Sequence, residues 1–352
     1  MTVTDYLKLT AYFGERLRCD DRFVSDAILD LYGHNAVATS VVLRGIASFG
    51  PHHVLHTDQS LSMSEDSPIV VAAVDTAEKM AGLGDRVAAM VPRGLVTLER
   101  AHLGGSIRPA DTAKLTVYVG RQDRADGRPA YRSVCELLHT TGFDGASVFL
   151  GVDGTVRGER KRARFFGRNL GVPVMIIAVG SGEQVSAVLP QLENLLREPI
   201  FTVERAQVCK RDGELLTHPY AFPAADDHGR ALWQKLMIYT SEAALHDGAP
   251  IHRAIVARLR HSKTTCGATV LRGIWGFDGE REPHGDKWIQ LGRQVPVTTI
   301  VVDAPERIAA SFEIINELTR EHGLVTSELV PASVSIDGED RRGGTGLAQY
   351  DY

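Results

Sequence analysis

The chain has 352 residues, with 39 Lys and Arg against 44 Asp and Glu, a formal net charge of -5. A hydrophobic fraction of 43% is enough for real cores and 24% charged residues make an ordinary surface, which excludes disorder throughout. The longest apolar runs, such as 68–74 and 172–179, are strand-sized and far short of the roughly 18 residues that span a bilayer, so no membrane insertion is expected. The opening MTVTDYLKLT has no basic stretch followed by an apolar one, so no signal peptide is expected. Cys19, Cys135, Cys209 and Cys266 are scattered, with no CxxC pair. That excludes a zinc knuckle or a disulfide framework and predicts reduced thiols in the cytoplasm. At roughly 150 residues per domain the length suggests two domains; the internal repeats argue for three.

Taken in chain order, the first elements already state the pattern. Leu7, Leu9, Ala11 and Phe13 alternate with polar or small neighbours, as in a strand. Phe23, Ala27, Ile28 and Leu31 follow helical spacing, as do Met80, Leu83, Val87 and Met90. The runs 40–43, 69–74 and 95–98 are rich in β-branched or apolar residues and bounded by turns, and an 18-residue loop, 50–67, joins two of them. The order is strand, helix, strand, strand, helix, strand. The same text then recurs twice. KLTAYFG at Lys8 returns as KLTVYVG at Lys114 and KLMIYTS at Lys235. SVVLRGIASFG, SVFLGVDGTV and ATVLRGIWGFDG align Gly45, Gly151 and Gly273. Strands starting at Pro68, Pro173 and Pro296 follow, and the closing LVTLER, IFTVER and LVTSEL align Glu99, Glu204 and Glu328. Lys8 to Lys114 and Gly45 to Gly151 are both 106 residues, so the register holds over separate landmarks.

The expected fold class is therefore α+β, with three tandem ferredoxin-like βαββαβ modules. The modules are placed at 1–104, 113–208 (divergent, with a basic loop) and 234–330. A linker occupies 209–233, and a Gly- and charge-rich tail, 331–352, is expected to be disordered unless Tyr350 and Tyr352 fold it over a neighbour. A sheet with helices on one side leaves its other face bare. Three copies in one chain can cover each other's faces, which predicts an intramolecular pseudo-trimer, alone or in a higher assembly.

The segments LKLTAYFGER, VVLRGIASFG, LHTDQSLSMSEDSP, GLVTLE, GATVLRGIWGFDG and VPVTTIVVD resemble the bacterial domain of unknown function 190 family, which has a PII-like, ferredoxin-like fold. The resemblance implies a signalling protein that binds a nucleotide or another anionic effector in clefts between modules. It also implies a long central loop that reports to a partner, and a link to ion or fluoride homeostasis through neighbouring fluoride-channel genes. It implies no resident cofactor. Copy two departs from the pattern: Leu150 stands where the others have Arg44 and Arg272, which puts any shared ligand site there in doubt.

Arg44 and Arg272 each precede a glycine at a strand end. Such a pair can grip an anion with guanidinium and backbone N–H groups, or pair a local carboxylate across a copy interface while Gly45, Gly50, Gly273 and Gly276 merely permit turns. His56 and His284 lie 12 residues before Pro68 and Pro296, and Lys161 holds that offset in copy two. These are polar ligand contacts or solvated loop residues. The ligand set is Arg44, Gly45, Gly50, His56, Arg272, Gly273 and His284. No metal is expected, because His52, His53 and His56 lack a carboxylate or cysteine at suitable spacing. Arg157, Arg160, Lys161, Arg162, Arg164 and Arg168 form a basic loop, 157–168, beside Phe165 and Phe166. The alternative to effector binding is a non-catalytic module docking an acidic protein partner through this loop. The acidic whole chain and the small patch disfavour nucleic acid. The repeated Glu99, Glu204 and Glu328 suggest structural pairing at copy interfaces. No nucleophile–base–orienter set is apparent, so the chain is not expected to be an enzyme.

Overall fold

A computed structural model describes residues 5–57, 66–102, 108–109, 111–162, 171–279, 281–285 and 295–351. Copy one opens with the strand Asp5–Gly14, followed by the helix Val24–His34, the strands Thr39–Phe49 and Pro68–Thr76, the helix Ala77–Met90 and the closing strand Arg93–His102. The opening strand is central. It pairs antiparallel with the third strand (Leu9 opposite Ala73) and with the closing strand (Lys8 opposite Glu99), while the second strand pairs with the third (Val41 opposite Ala72). Copies two and three repeat this order and these pairings.

Period-two alternation explains how each opening strand serves two layers. Leu7, Leu9, Ala11 and Phe13 pack against the copy's own helices, through Ile28, Tyr32, Met80, Leu83 and Val87. Two equivalent cores lie under the helices of copies two and three. The opposite face of the strand carries Tyr6, Lys8, Thr10 and Tyr12. That face meets its counterparts in a fourth core shared by all three copies, with Val70, Ala72, Tyr118, Met175, Ile177, Trp233, Met237, Tyr239 and Ile300. The bare sheet faces are therefore covered by one another.

The three copies are not separate modules, as the sequence had suggested. Among the described residues, twenty strands form one hydrogen-bonded sheet. One set of its seams runs through the second strands. Asp153–Val156 of copy two pairs with residues 39–42 of copy one, residues 145–148 of copy two pair with Trp275–Asp278 of copy three, and residues 268–271 of copy three pair with residues 45–49 of copy one. Each second strand thus serves two neighbours, and the circuit closes.

The tail expected to be disordered is a β-hairpin, Ala332–Asp337 with Asp340–Gly344. Ala332, Val334 and Ile336 enter the core of copy one, and the first hairpin strand pairs with copy one's closing strand (Ala332 opposite Leu98). Alternating apolar residues that find a free strand edge outweigh the local glycine and charge content. Copy two does the same to copy three. Its closing strand, Ile200–Arg211, runs past 208 and pairs Gln207 with Ser327. Tyr350 packs edge-on against Phe222 of the segment joining copies two and three, while Tyr352 lies outside the described residues. No helix among the described residues is long and apolar enough to cross a membrane.

One buried group gives this fold a pH dependence. His252, in the helix Ile251–Ser262, is 2% exposed. Burial pushes its imidazole down to about 4, helped by Arg253 and Arg272. The unfolded chain binds this proton near the usual value of about 6.5, so its contribution is complete above that pH and is lost as the pH falls toward 4. Between pH 7.5 and pH 5 the linkage amounts to about 2 kcal/mol. Urea unfolding at both pH values is expected to show that extra loss in the wild type and not in His252→Leu. Equal losses in the two proteins would refute the assignment.

Candidate functional site

The residues singled out in the sequence do not converge on one place. Arg44 and Arg272 face carboxylates of their own copies: Arg44 pairs Glu15 at the surface, and half-buried Arg272 bonds Glu242 at 2.7 Å. Copy two lacks both halves of this pair, with Leu150 for the arginine and Arg121 for the glutamate. The repeat glycines lie at the seams. A Cβ on Gly45 would come within 2.9 Å of the Val270 carbonyl oxygen of copy three, one on Gly151 within 2.9 Å of Val41 of copy one, and one on Gly273 within 3.1 Å of the Val148 carbonyl oxygen of copy two. Their lack of a side chain permits close approach between copies.

The described part of the basic loop is neutralised within the molecule. Arg160 holds Asp153 at 2.7 Å and also reaches Asp26 and Asp30 on copy one's first helix. Several hydrogen bonds to the guanidinium, Asp153 first, raise its basicity further. Arg162 lies 3.5 Å from Asp153, Arg157 pairs Glu198 at 2.7 Å, and Lys161 pairs Glu159 at 2.6 Å. Arg164 and Arg168 lie outside the described residues.

Gly50 and His56 do line a cleft. It measures about 560 Å³ and lies between copy one, copy three and the C-terminal hairpin. Its walls include Tyr12, Phe49, Trp233, Ile300 and Val302, and its charged groups include Arg93, Arg341, Arg342, Asp303 and Asp337. Arg342 lies over the Trp233 ring at 5.2 Å and 3.5 Å from Asp303, and Arg93 bonds Asp337 at 2.8 Å. His284 lies elsewhere, on a cavity of only about 30 Å³ between copies two and three, with Nδ1 2.9 Å from the Glu282 carbonyl oxygen. The clefts between copies are therefore unequal.

The most concentrated chemistry lies where the three copies meet. Lys8 and Glu99, Lys114 and Glu204, and Lys235 and Glu328 face each other across opening and closing strands. Each ammonium also reaches a neighbouring copy: Lys8 bonds Glu204 at 3.0 Å, Lys114 bonds Glu328, and Lys235 bonds Glu99. The result is a closed ring of three cations and three anions, all buried. The carboxylate oxygens of Glu99, Glu204 and Glu328 lie within 4.8 Å of one another, an acidic cluster between copies of a size that could hold a small ion. Three ammonium groups already occupy that role. Burial works against every charge here. At Lys8 it prevails over Glu204 and holds the ammonium below its ordinary value. Lys114 is buried too, but Glu204, Glu328 and Glu99 together hold it well above. Burial would likewise raise the Glu99 and Glu204 carboxyls, and the lysines hold both below the usual carboxylate range.

Further along the same strand faces, Thr10 faces Thr97, Thr116 faces Thr202 and Met237 faces Thr326. Beyond them come Tyr12, Tyr118 and Tyr239. On the other side the ring floors a second cleft of about 900 Å³, walled by Arg100, Arg205, Asp226, His228 and Tyr350. The lysines had served the sequence reading only as repeat landmarks. Their recurrence on the same face as the three glutamates was the signal that could have found the ring.

A family model, DUF190, described as "Uncharacterized ACR", matches residues 6–103, 112–208 and 233–332. A UPF0166 protein of Aquifex aeolicus is 32% identical over 100 residues, 28% of this chain and 92% of the relative. A UPF0166 protein of Methanocaldococcus jannaschii is 31% identical over 85 residues, 24% of this chain and 77% of the relative. Each is thus matched over most of its length by a stretch no longer than about one copy. A solved structure of an unknown protein from Galdieria sulphuraria has 9% identity and a TM-score of 0.18, over 58% of this chain and 98% of that one. At that score the likeness carries no argument.

Proposed function

The chain belongs to the DUF190 family in three tandem copies, and from that premise we propose that it is a PII-like regulatory protein, a pseudo-trimer in one chain, that binds a small anionic effector between copies one and three. The sheet order supports a ferredoxin-like module in each copy: closing, opening, third and second strand, all antiparallel. The observation that carries the reading is the cleft of about 560 Å³. It combines an apolar, aromatic wall with guanidinium groups, of which Arg93 and Arg342 now pair Asp337 and Asp303 and would exchange those carboxylates for the phosphate or carboxylate of a ligand with a flat ring. The work proposed for it is recognition rather than catalysis.

Isothermal titration with ATP, ADP, AMP, cyclic nucleotides and small anions tests this. A binder should lose about tenfold in affinity in Arg342→Ala and in Arg93→Ala, the size of one charged hydrogen bond. Arg44→Ala, whose partner is Glu15 outside the cleft, should leave the affinity unchanged. Binding that survives both cleft substitutions would remove the site from the reading.

A further inference from the structure

Between the charge ring and the tyrosines lies a layer in which Thr97 donates to Glu99 at 3.1 Å and several other polar groups are unspent. Thr10, Thr116 and Thr202 Oγ1, Tyr118 Oη and Glu328 Oε1 have no hydrogen-bond partner, and all five residues are at least nine-tenths buried. The strand register gathers them. Thr10 and Thr116 stand two residues beyond Lys8 and Lys114, Thr202 two residues before Glu204, and Tyr118 two beyond Thr116, all on the face that carries the ring. Thr116 and Thr202 face each other across strands, and no hydrogen bond joins their hydroxyls.

Buried donors and acceptors in native proteins are satisfied by protein or by ordered water. Five such orphans, with Thr326 Oγ1 as a sixth on the same strand faces, would be an unusual concentration in a dry interior. Hydroxyls both donate and accept, and a carboxylate oxygen only accepts, so the guest that suits this set must do both. A cation alone would meet the three ring ammonium groups. A bare anion would meet the lone pairs of Glu328 Oε1. Water suits every position.

We infer that the threonine layer on the shared axis is a built hydration site, holding a file of ordered water that joins Glu328 in the ring to Thr116, Thr202, Thr10 and Tyr118. One end of the file meets the carboxylates that floor the larger cleft. The other approaches the tyrosine layer, where Tyr12 forms part of the wall of the smaller cleft. It connects the two clefts by hydrogen bonds without opening either to the other. The inference does not depend on what the smaller cleft binds.

Thr116→Val and Thr202→Val test it, since valine keeps the shape and the β-branching. If water bonds these hydroxyls, each substitution strands a water and lowers the melting temperature by about 2 °C. If the layer is dry, valine removes an unsatisfied hydroxyl, and the melting temperature stays level or rises, which overturns the inference. A high-resolution crystal structure of the full chain gives the second measurement. Solvent peaks within hydrogen-bond distance of Thr116 and Thr202 Oγ1 are expected. An empty layer, or a peak whose replacement by another salt shifts the melting temperature, would also overturn it.

Discussion

Replacing Lys114 with methionine is expected to cost the fold about 3–5 kcal/mol, read as a fall in the urea midpoint at pH 7. Lys114 is wholly buried and contacts both Glu204 and Glu328, with Glu99 at 3.9 Å. Removing it leaves three buried carboxylates against two ammonium groups, and an uncompensated buried charge is what makes such substitutions severe. The loss should be partly recovered by adding Glu204→Leu, which returns the ring to two charges of each sign. The coupling between the two changes measures the pair directly. A loss below about 1 kcal/mol would mean that the ring is screened as a surface ion pair is and tolerates an unpaired carboxylate.

Alanine at the seam glycines should destabilise in a fixed order. Gly151→Ala comes first, at about 3 kcal/mol, because its Cβ would overlap the Pro173 carbonyl oxygen outright as well as crowd Val41. Gly45→Ala follows at about 2 kcal/mol, with Pro68 Cγ at 2.8 Å and the Val270 oxygen at 2.9 Å. Gly273→Ala is mildest, at about 1 kcal/mol, since its closest neighbours stand 3.1 and 3.2 Å away. Backbone atoms in a shared sheet cannot swing aside as a flexible side chain can, which is why distance sets the order. Urea midpoints of the three variants check it. Equal stability in all three would show that the seams yield to a methyl group and that the glycines serve some other end.

The repeats were legible because each strand must satisfy two faces at once. Lys8, Thr10 and Tyr12 on one side and Leu7, Leu9 and Ala11 on the other leave little freedom to drift, so the text recurs. Glu99, Glu204 and Glu328 could be placed at copy interfaces for the same reason. Their lysine partners were in plain view as landmarks, but pairing across copies depends on a closed arrangement that no single copy contains. The basic loop shows the converse. Its charges were counted along the chain, whereas Asp26 and Asp30, which oppose Arg160, come from a helix of another copy. Short turns were also hidden within polar stretches. Asp126-Gly127 and Asp247-Gly248 each adopt positive φ in a tight hairpin just before a helix, a signal only two residues long.

The C-terminal hairpin gives the far end of the chain a task at its beginning. Without residues 332–344, the outer edge of copy one's closing strand would offer unpaired N–H and C=O groups to any passing strand, including the same hairpin of a second molecule. Truncation after Pro331 is thus a route to aggregation rather than a trimming of loose ends. Two molecules that exchange intact hairpins close into a dimer, whereas one that gives its hairpin to the next without receiving one starts a head-to-tail filament.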